Sequence, residues 1–176
     1  MKRTWPNVIT FLRLIMVPVF GYVLISEKEY LFALAIFWIA GVSDIVDGWL
    51  ARKTNTVSAL GQIGDPIADK ALTGVAWVGL SLLGVIPWWA TSLILVREVG
   101  ITIWRLTLIT HHVFAADRGG KVKTAIQIAA ISLALFNESV QWQFLDAPVQ
   151  IFYVVAVVVT VVTGFNYLQN FRGKNA

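Results

Sequence analysis

Cysteine is absent from the 176 residues, and histidine occurs only twice, side by side as His111-His112. Such a chain cannot build a disulfide framework, a zinc knuckle or a catalytic thiol. A histidine-rich metal site is excluded as well, so any bound metal would be a hard cation held by carboxylate oxygens. Charge is also scarce: Asp, Glu, Lys and Arg make up 14% of the chain, against about 25% in soluble domains. Apolar residues take their place, at 57% with a mean hydropathy of +0.73. This balance excludes a secreted enzyme, a nucleic-acid reader and a disordered tail protein.

A membrane span takes roughly 20 apolar residues. The apolar runs predict six spans: Val8–Ile25, Tyr30–Trp49, Pro66–Ile86, Trp88–Ile109, Val122–Phe136 and Val149–Tyr167. The chain therefore reads as an all-α integral membrane protein, one domain over residues 1–176, with no room for a soluble partner domain. Lys2-Arg3 before an apolar run imitates a signal peptide, but Pro18 within the run and the missing small-residue cleavage site argue against one. No internal repeat is present.

An even number of spans puts both termini on one side. Nine basic residues flank the spans there, Lys2, Arg3, Arg52, Lys53, Arg118, Lys121, Lys123, Arg172 and Lys174, against Lys28 alone on the other. By the positive-inside rule both termini face the cytoplasm. Trp5, Trp49 and Trp104 then fall near that interface, and Trp88, Trp89 and Trp142 near the opposite one. The net charge of +4 suits contact with anionic lipid.

Acids gather where the second span ends and the third begins. Asp44 and Asp47 are three apart and Asp65 and Asp69 four apart, so each pair shares a helix face. Four carboxylates pooled at one membrane depth repel one another, and divalent cations relieve that repulsion. Simpler roles exist: Asp65 before Pro66 has the form of an N-cap followed by proline at the first helical position, and Asp44 and Asp47 could mark the solvated end of a span. Acids inside a membrane are nevertheless functional candidates by default.

Written out, the segment is Asp44-x2-Asp47-Gly48-x2-Ala51-Arg52-x8-Gly61-x3-Asp65-x3-Asp69. This pattern resembles the defining motif of the CDP-alcohol phosphotransferases, a family of membrane enzymes. The resemblance implies two divalent ions, Mg²⁺ or Mn²⁺, held by Asp44, Asp47, Asp65 and Asp69. It implies that Gly48, Ala51, Arg52 and Gly61 bind the CDP moiety, with Arg52 at the diphosphate and Gly61 turning the loop beneath the cytidine. Asp69 becomes the general base that deprotonates the incoming hydroxyl. The expected reaction is attack on the β-phosphorus of CDP-diacylglycerol, releasing CMP, in a homodimer whose active site faces the cytoplasm.

The acceptor is read from basic residues further along. Arg97 and Arg105 lie eight apart, roughly on one face of the fourth span, and Arg118, Lys121 and Lys123 open the fifth. A cationic pocket suits an anionic acceptor such as glycerol 3-phosphate. Arg97-Glu98, the Gly120-Lys121-x-Lys123-Thr124-x-x-Gln127 run and the opening Pro6-Asn7-x-x-Thr10-x-x-Arg13 are similar to segments of phosphatidylglycerophosphate synthases, although Asp117 stands where a serine is common. The plainer readings are lipid-headgroup anchoring for Lys121 and Lys123, and pairing of Arg97 with Glu98 or another nearby acid. Gly74, Gly79 and Gly100 are expected to be helix-packing contacts.

Three rival functions share some of these features. A cardiolipin synthase of the same family would take phosphatidylglycerol as acceptor, and a related enzyme an inositol phosphate. A divalent-cation transporter would need a polar path across the bilayer, yet Val75–Ile86 is almost wholly apolar.

Overall fold

The structure is a computed structural model. It describes the backbone of residues 5–54, 59–108 and 118–172, with side chains at these positions except 5–11, 13, 44–54, 59–69, 105–108, 118–119, 121, 168 and 170–172. Among the described residues every regular element is helical, as expected. The six long helices are α1 (Trp5–Tyr22), α2 (Tyr30–Thr54), α3 (Ala59–Leu82), α4 (Trp88–Leu108), α5 (Arg118–Val140) and α6 (Asp146–Arg172). A π-helical turn, Val23–Glu27, extends α1, and a 3₁₀ turn, Gln143–Leu145, precedes α6.

Local chemistry ends these helices. Lys28 takes a left-handed φ of 55°, which lets the Glu29 N–H reach back to the Val23 carbonyl at 3.3 Å. Gly84 takes a φ of 77° beyond α3, a conformation glycine adopts without a Cβ penalty. Gln141, at a φ of 55°, closes α5 by donating its N–H to the Asn137 carbonyl at 2.7 Å. Helix α6 opens with Asp146 in its first turn, where a negative charge meets the positive end of the helix dipole. Asn137 Nδ2 donates to Asp146 Oδ1 at 2.8 Å and ties the end of α5 to the start of α6.

The chain divides into two compact units, Met1–Leu83 and Gly84–Ala176. In the first, α1 lies against α2 and α3, around buried Phe20, Leu24, Phe37, Trp77 and Leu80. Glycines bring α1 and α3 together. A Cβ on Gly79 would sit 2.6 Å from Leu24 Cδ2, and one on Gly21 would sit 3.1 Å from Val75 Cγ1. Gly79 is thus the packing contact expected of it, whereas Gly100 is exposed and, among the described residues, nothing lies within 4 Å of its Cβ position. In the second unit, α6 packs on both α4 and α5, burying Ile94, Ile131, Leu135, Ala156 and Thr160.

Helix boundaries differ from the apolar runs in an informative way. Helix α2 continues past Trp49 to Thr54, and α3 starts at Ala59, well before Pro66. Hydropathy marks where a chain meets lipid, whereas helix formation follows backbone propensity, and Leu50, Ala51, Arg52 and Lys53 are good helix formers. Two readings fall with that shift. Asp65 lies inside α3 and is not its N-cap, and Gly61 lies in the first turn of α3, not in a loop.

Large apolar side chains are exposed on every long helix, among them Leu12, Phe32, Leu82, Val96, Val122 and Ile151. Patches this extensive are foreign to soluble monomers. Among the described residues one helical stretch, Gln143–Tyr167, is long and apolar enough to cross a membrane, and Leu14–Glu27, Tyr30–Ser43 and Lys70–Leu82 are shorter apolar stretches.

Candidate functional site

The four motif acids belong to two helices of the first unit. Asp44 and Asp47 are on α2 with Gly48, Ala51 and Arg52, while Asp65 and Asp69 are on α3 with Gly61. Both helices are continuous through their acids, so the spacings of three and four keep each pair on one face. Helices α2 and α3 touch, and only residues 55–58 separate them in the chain. The side chains of all these residues lie outside the described residues, and with them the expected convergence of the carboxylates. The donor set itself fits the implied metals: it consists of hard carboxylate oxygens, with no nitrogen or sulfur ligand among them.

The second unit contains a polar cluster centred on Glu98. Arg97 and Glu98 stand on α4, and Arg97 Nη1 donates to Glu98 Oε1 at 3.1 Å. Lys123 of α5 donates to that same oxygen through Nζ. Both partners are largely withdrawn from solvent, with side-chain exposures of 12% for Glu98 and 8% for Lys123. Two cations therefore share one carboxylate, and the three groups together carry a net positive charge. The Glu98 backbone carbonyl also accepts a hydrogen bond from Thr102 Oγ1 at 2.7 Å.

Helix α6 closes the cluster from another side. Arg97 Nη2 donates to Thr163 Oγ1 at 3.4 Å, and Gln127 Nε2 of α5 donates to Thr160 Oγ1 at 2.8 Å. Gln127 and Thr160 are buried, at 4% and 0% exposure, so their bond carries the full cost of any loss. Arg97 Nε is buried and, among the described residues, has no hydrogen-bond partner.

Of the five basic residues expected to form an acceptor pocket, the structure brings Arg97 and Lys123 together. Arg105 on α4 and Arg118 and Lys121 on α5 have side chains outside the described residues. Lys123 is too deeply buried and too well paired to serve as a headgroup anchor. The expected pairing of Arg97 with Glu98 is present, but it forms part of the cluster and does not replace it. Thr160, Thr163 and Gly164 escaped the sequence reading. Their signal was a Thr-x-x-Thr-Gly step, with polar and small residues at helical spacing inside a valine-rich run.

A family model described as CDP-alcohol phosphatidyltransferase matches residues 3–165 and so runs across both units. A Mycobacterium tuberculosis protein named probable phosphatidylglycerophosphate synthase is 42% identical over 171 residues, covering 92% of this chain and 78% of its own. The Bacillus subtilis CDP-diacylglycerol–glycerol-3-phosphate 3-phosphatidyltransferase is 35% identical over 181 residues, covering 92% of each chain. The human cardiolipin synthase (CMP-forming) is 41% identical over 97 residues, which is 54% of this chain and 32% of that protein.

Proposed function

The chain belongs to the CDP-alcohol phosphatidyltransferase family, and from that membership we propose that it transfers a phosphatidyl group from CDP-diacylglycerol to glycerol 3-phosphate, giving phosphatidylglycerophosphate and CMP. The observation that carries the acceptor is identity together with coverage of both chains. Relatives named for this reaction are 42% and 35% identical over 92% of this chain and most of their own length, whereas those named cardiolipin synthase match either about half of it or, at 27% identity, 57% of their own. The paired cations Arg97 and Lys123 support the same choice, because an anionic acceptor needs buried positive charge.

In this reading Asp44, Asp47, Asp65 and Asp69 hold two divalent ions, which neutralise the diphosphate and the departing CMP when bound. Gly48, Ala51, Arg52 and Gly61 border the cytidine diphosphate. Asp69 accepts the proton of the acceptor hydroxyl. The hydroxyl oxygen forms the new bond to the β-phosphorus as the bond from that phosphorus to the bridging oxygen breaks, and CMP leaves with the electron pair. Phosphoryl chemistry of this kind depends on positioning and charge more than on covalent help. Arg97 and Lys123, joined by Arg105, Arg118 and Lys121, hold the acceptor phosphate.

The chain works as one membrane domain of six spans, with both termini and the active site on the cytoplasmic side. The nine-to-one distribution of flanking basic residues supports this topology. A homodimer follows from family resemblance. The test is CMP release by purified, detergent-solubilised protein given CDP-diacylglycerol and Mg²⁺ or Mn²⁺, with glycerol 3-phosphate, phosphatidylglycerol and an inositol phosphate offered separately. Turnover confined to glycerol 3-phosphate is expected. Turnover with phosphatidylglycerol alone would replace the reading by cardiolipin synthesis.

A further inference from the structure

Gly164 lies on α6, and what stands against it is a side chain, not a neighbouring backbone. A Cβ built there would come 3.1 Å from Arg97 Cγ, 3.3 Å from Nε and 3.8 Å from Cδ. Small residues in membrane helices ordinarily allow helix backbones to approach. Here the space left by the missing side chain is filled by the stem of an arginine.

That arginine is held at both ends of its guanidinium. Glu98 takes Nη1 at 3.1 Å and Thr163 takes Nη2 at 3.4 Å. The Thr163 hydroxyl is itself fixed, with the Val159 carbonyl at 2.6 Å and the Thr160 carbonyl at 3.1 Å. The contact with Gly164 falls on the Nε side, where the donor is buried and, among the described residues, unpaired. A guanidinium carries five N–H groups in a rigid fork. With Nε turned to α6, the remaining protons of Nη1 and Nη2 are the ones an oxyanion can use. Fixing the fork before the ligand arrives removes the ordering cost from binding.

We infer that Gly164 and Thr163 are positioning residues for acceptor recognition, which seat Arg97 so that its Nη1/Nη2 end meets the acceptor's phosphate. The inference rests on the reading of Arg97 as an acceptor contact. A methyl at position 164 would push the stem by a few tenths of an ångström against the restraint of Glu98 and Thr163. Recognition of the acceptor then weakens, while the donor, met by other residues, is untouched.

The experiment is steady-state kinetics on the purified protein with Gly164→Ala, Thr163→Val, Arg97→Ala and the Gly164→Ala/Arg97→Ala double variant. KM is measured separately for glycerol 3-phosphate and CDP-diacylglycerol. Gly164→Ala is expected to raise KM for glycerol 3-phosphate about tenfold, with kcat and the donor KM within about twofold of the parent. Thr163→Val, which adds no bulk, should raise the same KM about threefold, and it carries the test if Gly164→Ala does not fold. On the Arg97→Ala background, Gly164→Ala should cost nothing more. Wild-type kinetics in both α6 variants, equal rises in both KM values, or full additivity with Arg97→Ala would overturn the inference and leave the acceptor reading standing. An unchanged acceptor KM in Arg97→Ala would remove the acceptor reading, and the inference with it.

Discussion

Lys123 of α5 and Arg97 of α4 converge on a single oxygen of Glu98 in the buried interior of the second unit. Two cations held by one carboxylate stay in place with only part of their charge cancelled. Removing the carboxylate takes the shared negative charge from both, and breaking a buried pair from one side costs about 3–5 kcal/mol. Glu98→Gln is therefore expected to lower the thermal midpoint of the detergent-solubilised protein markedly. Glu98→Gln combined with Lys123→Met should recover part of that loss, because the pair is then removed as a unit. Thermal unfolding of Glu98→Gln, Lys123→Met and the double variant measures this, and losses that simply add would show the pair to be energetically uncoupled.

The Gln127–Thr160 bond makes a similar prediction with neutral groups. Thr160→Val keeps the shape of the side chain but strands a buried amide, at about 1–3 kcal/mol. Adding Gln127→Leu removes the stranded group, and the double variant should be more stable than Thr160→Val alone. Denaturation midpoints of the two variants decide the point.

In the first unit, Gly79→Ala should destabilise by about 1–3 kcal/mol, the usual cost of overpacking. The clash falls on Leu24, which is fully buried and also close at Cγ, so it has little room to swing away. Leu24→Val in the same chain should restore much of the loss. A Gly79→Ala protein as stable as the parent would mean that α1 yields easily at this contact.

The carboxylate site is probed by removing either partner. Treatment with a chelator should abolish CMP release, and Mg²⁺ or Mn²⁺ should bring it back. Asp69→Asn should lower kcat by about 10²–10⁴, the usual contribution of a general base. Full activity in Asp69→Asn would assign the proton to another group.

Much of this was legible before any coordinates. The apolar runs located the six helices, because burial in lipid or core imposes a composition that soluble loops do not share. The aspartate motif stood out because acids are costly there and their spacing is helical. Helix ends were misread where polar residues carry a helix beyond its apolar part, as at Leu50–Thr54 and Ala59–Asp65. The Asp65-Pro66 pair looked like a helix start because the same dipeptide serves that purpose elsewhere. Thr160, Thr163 and Gly164 were passed over because each is unremarkable in an apolar helix, and only the partners Gln127 and Arg97, contributed by other helices, give them meaning.

The break between Leu83 and Gly84 has a consequence for how such a protein can be altered. The whole aspartate motif falls before it, while Arg97, Glu98, Lys123, Thr163 and Gly164 all fall after it. Under the proposed roles, the reaction is inherited through one half of the gene and the choice of alcohol through the other. On those roles, a substitution meant to change the acceptor belongs in the second half and one meant to abolish the chemistry belongs in the first.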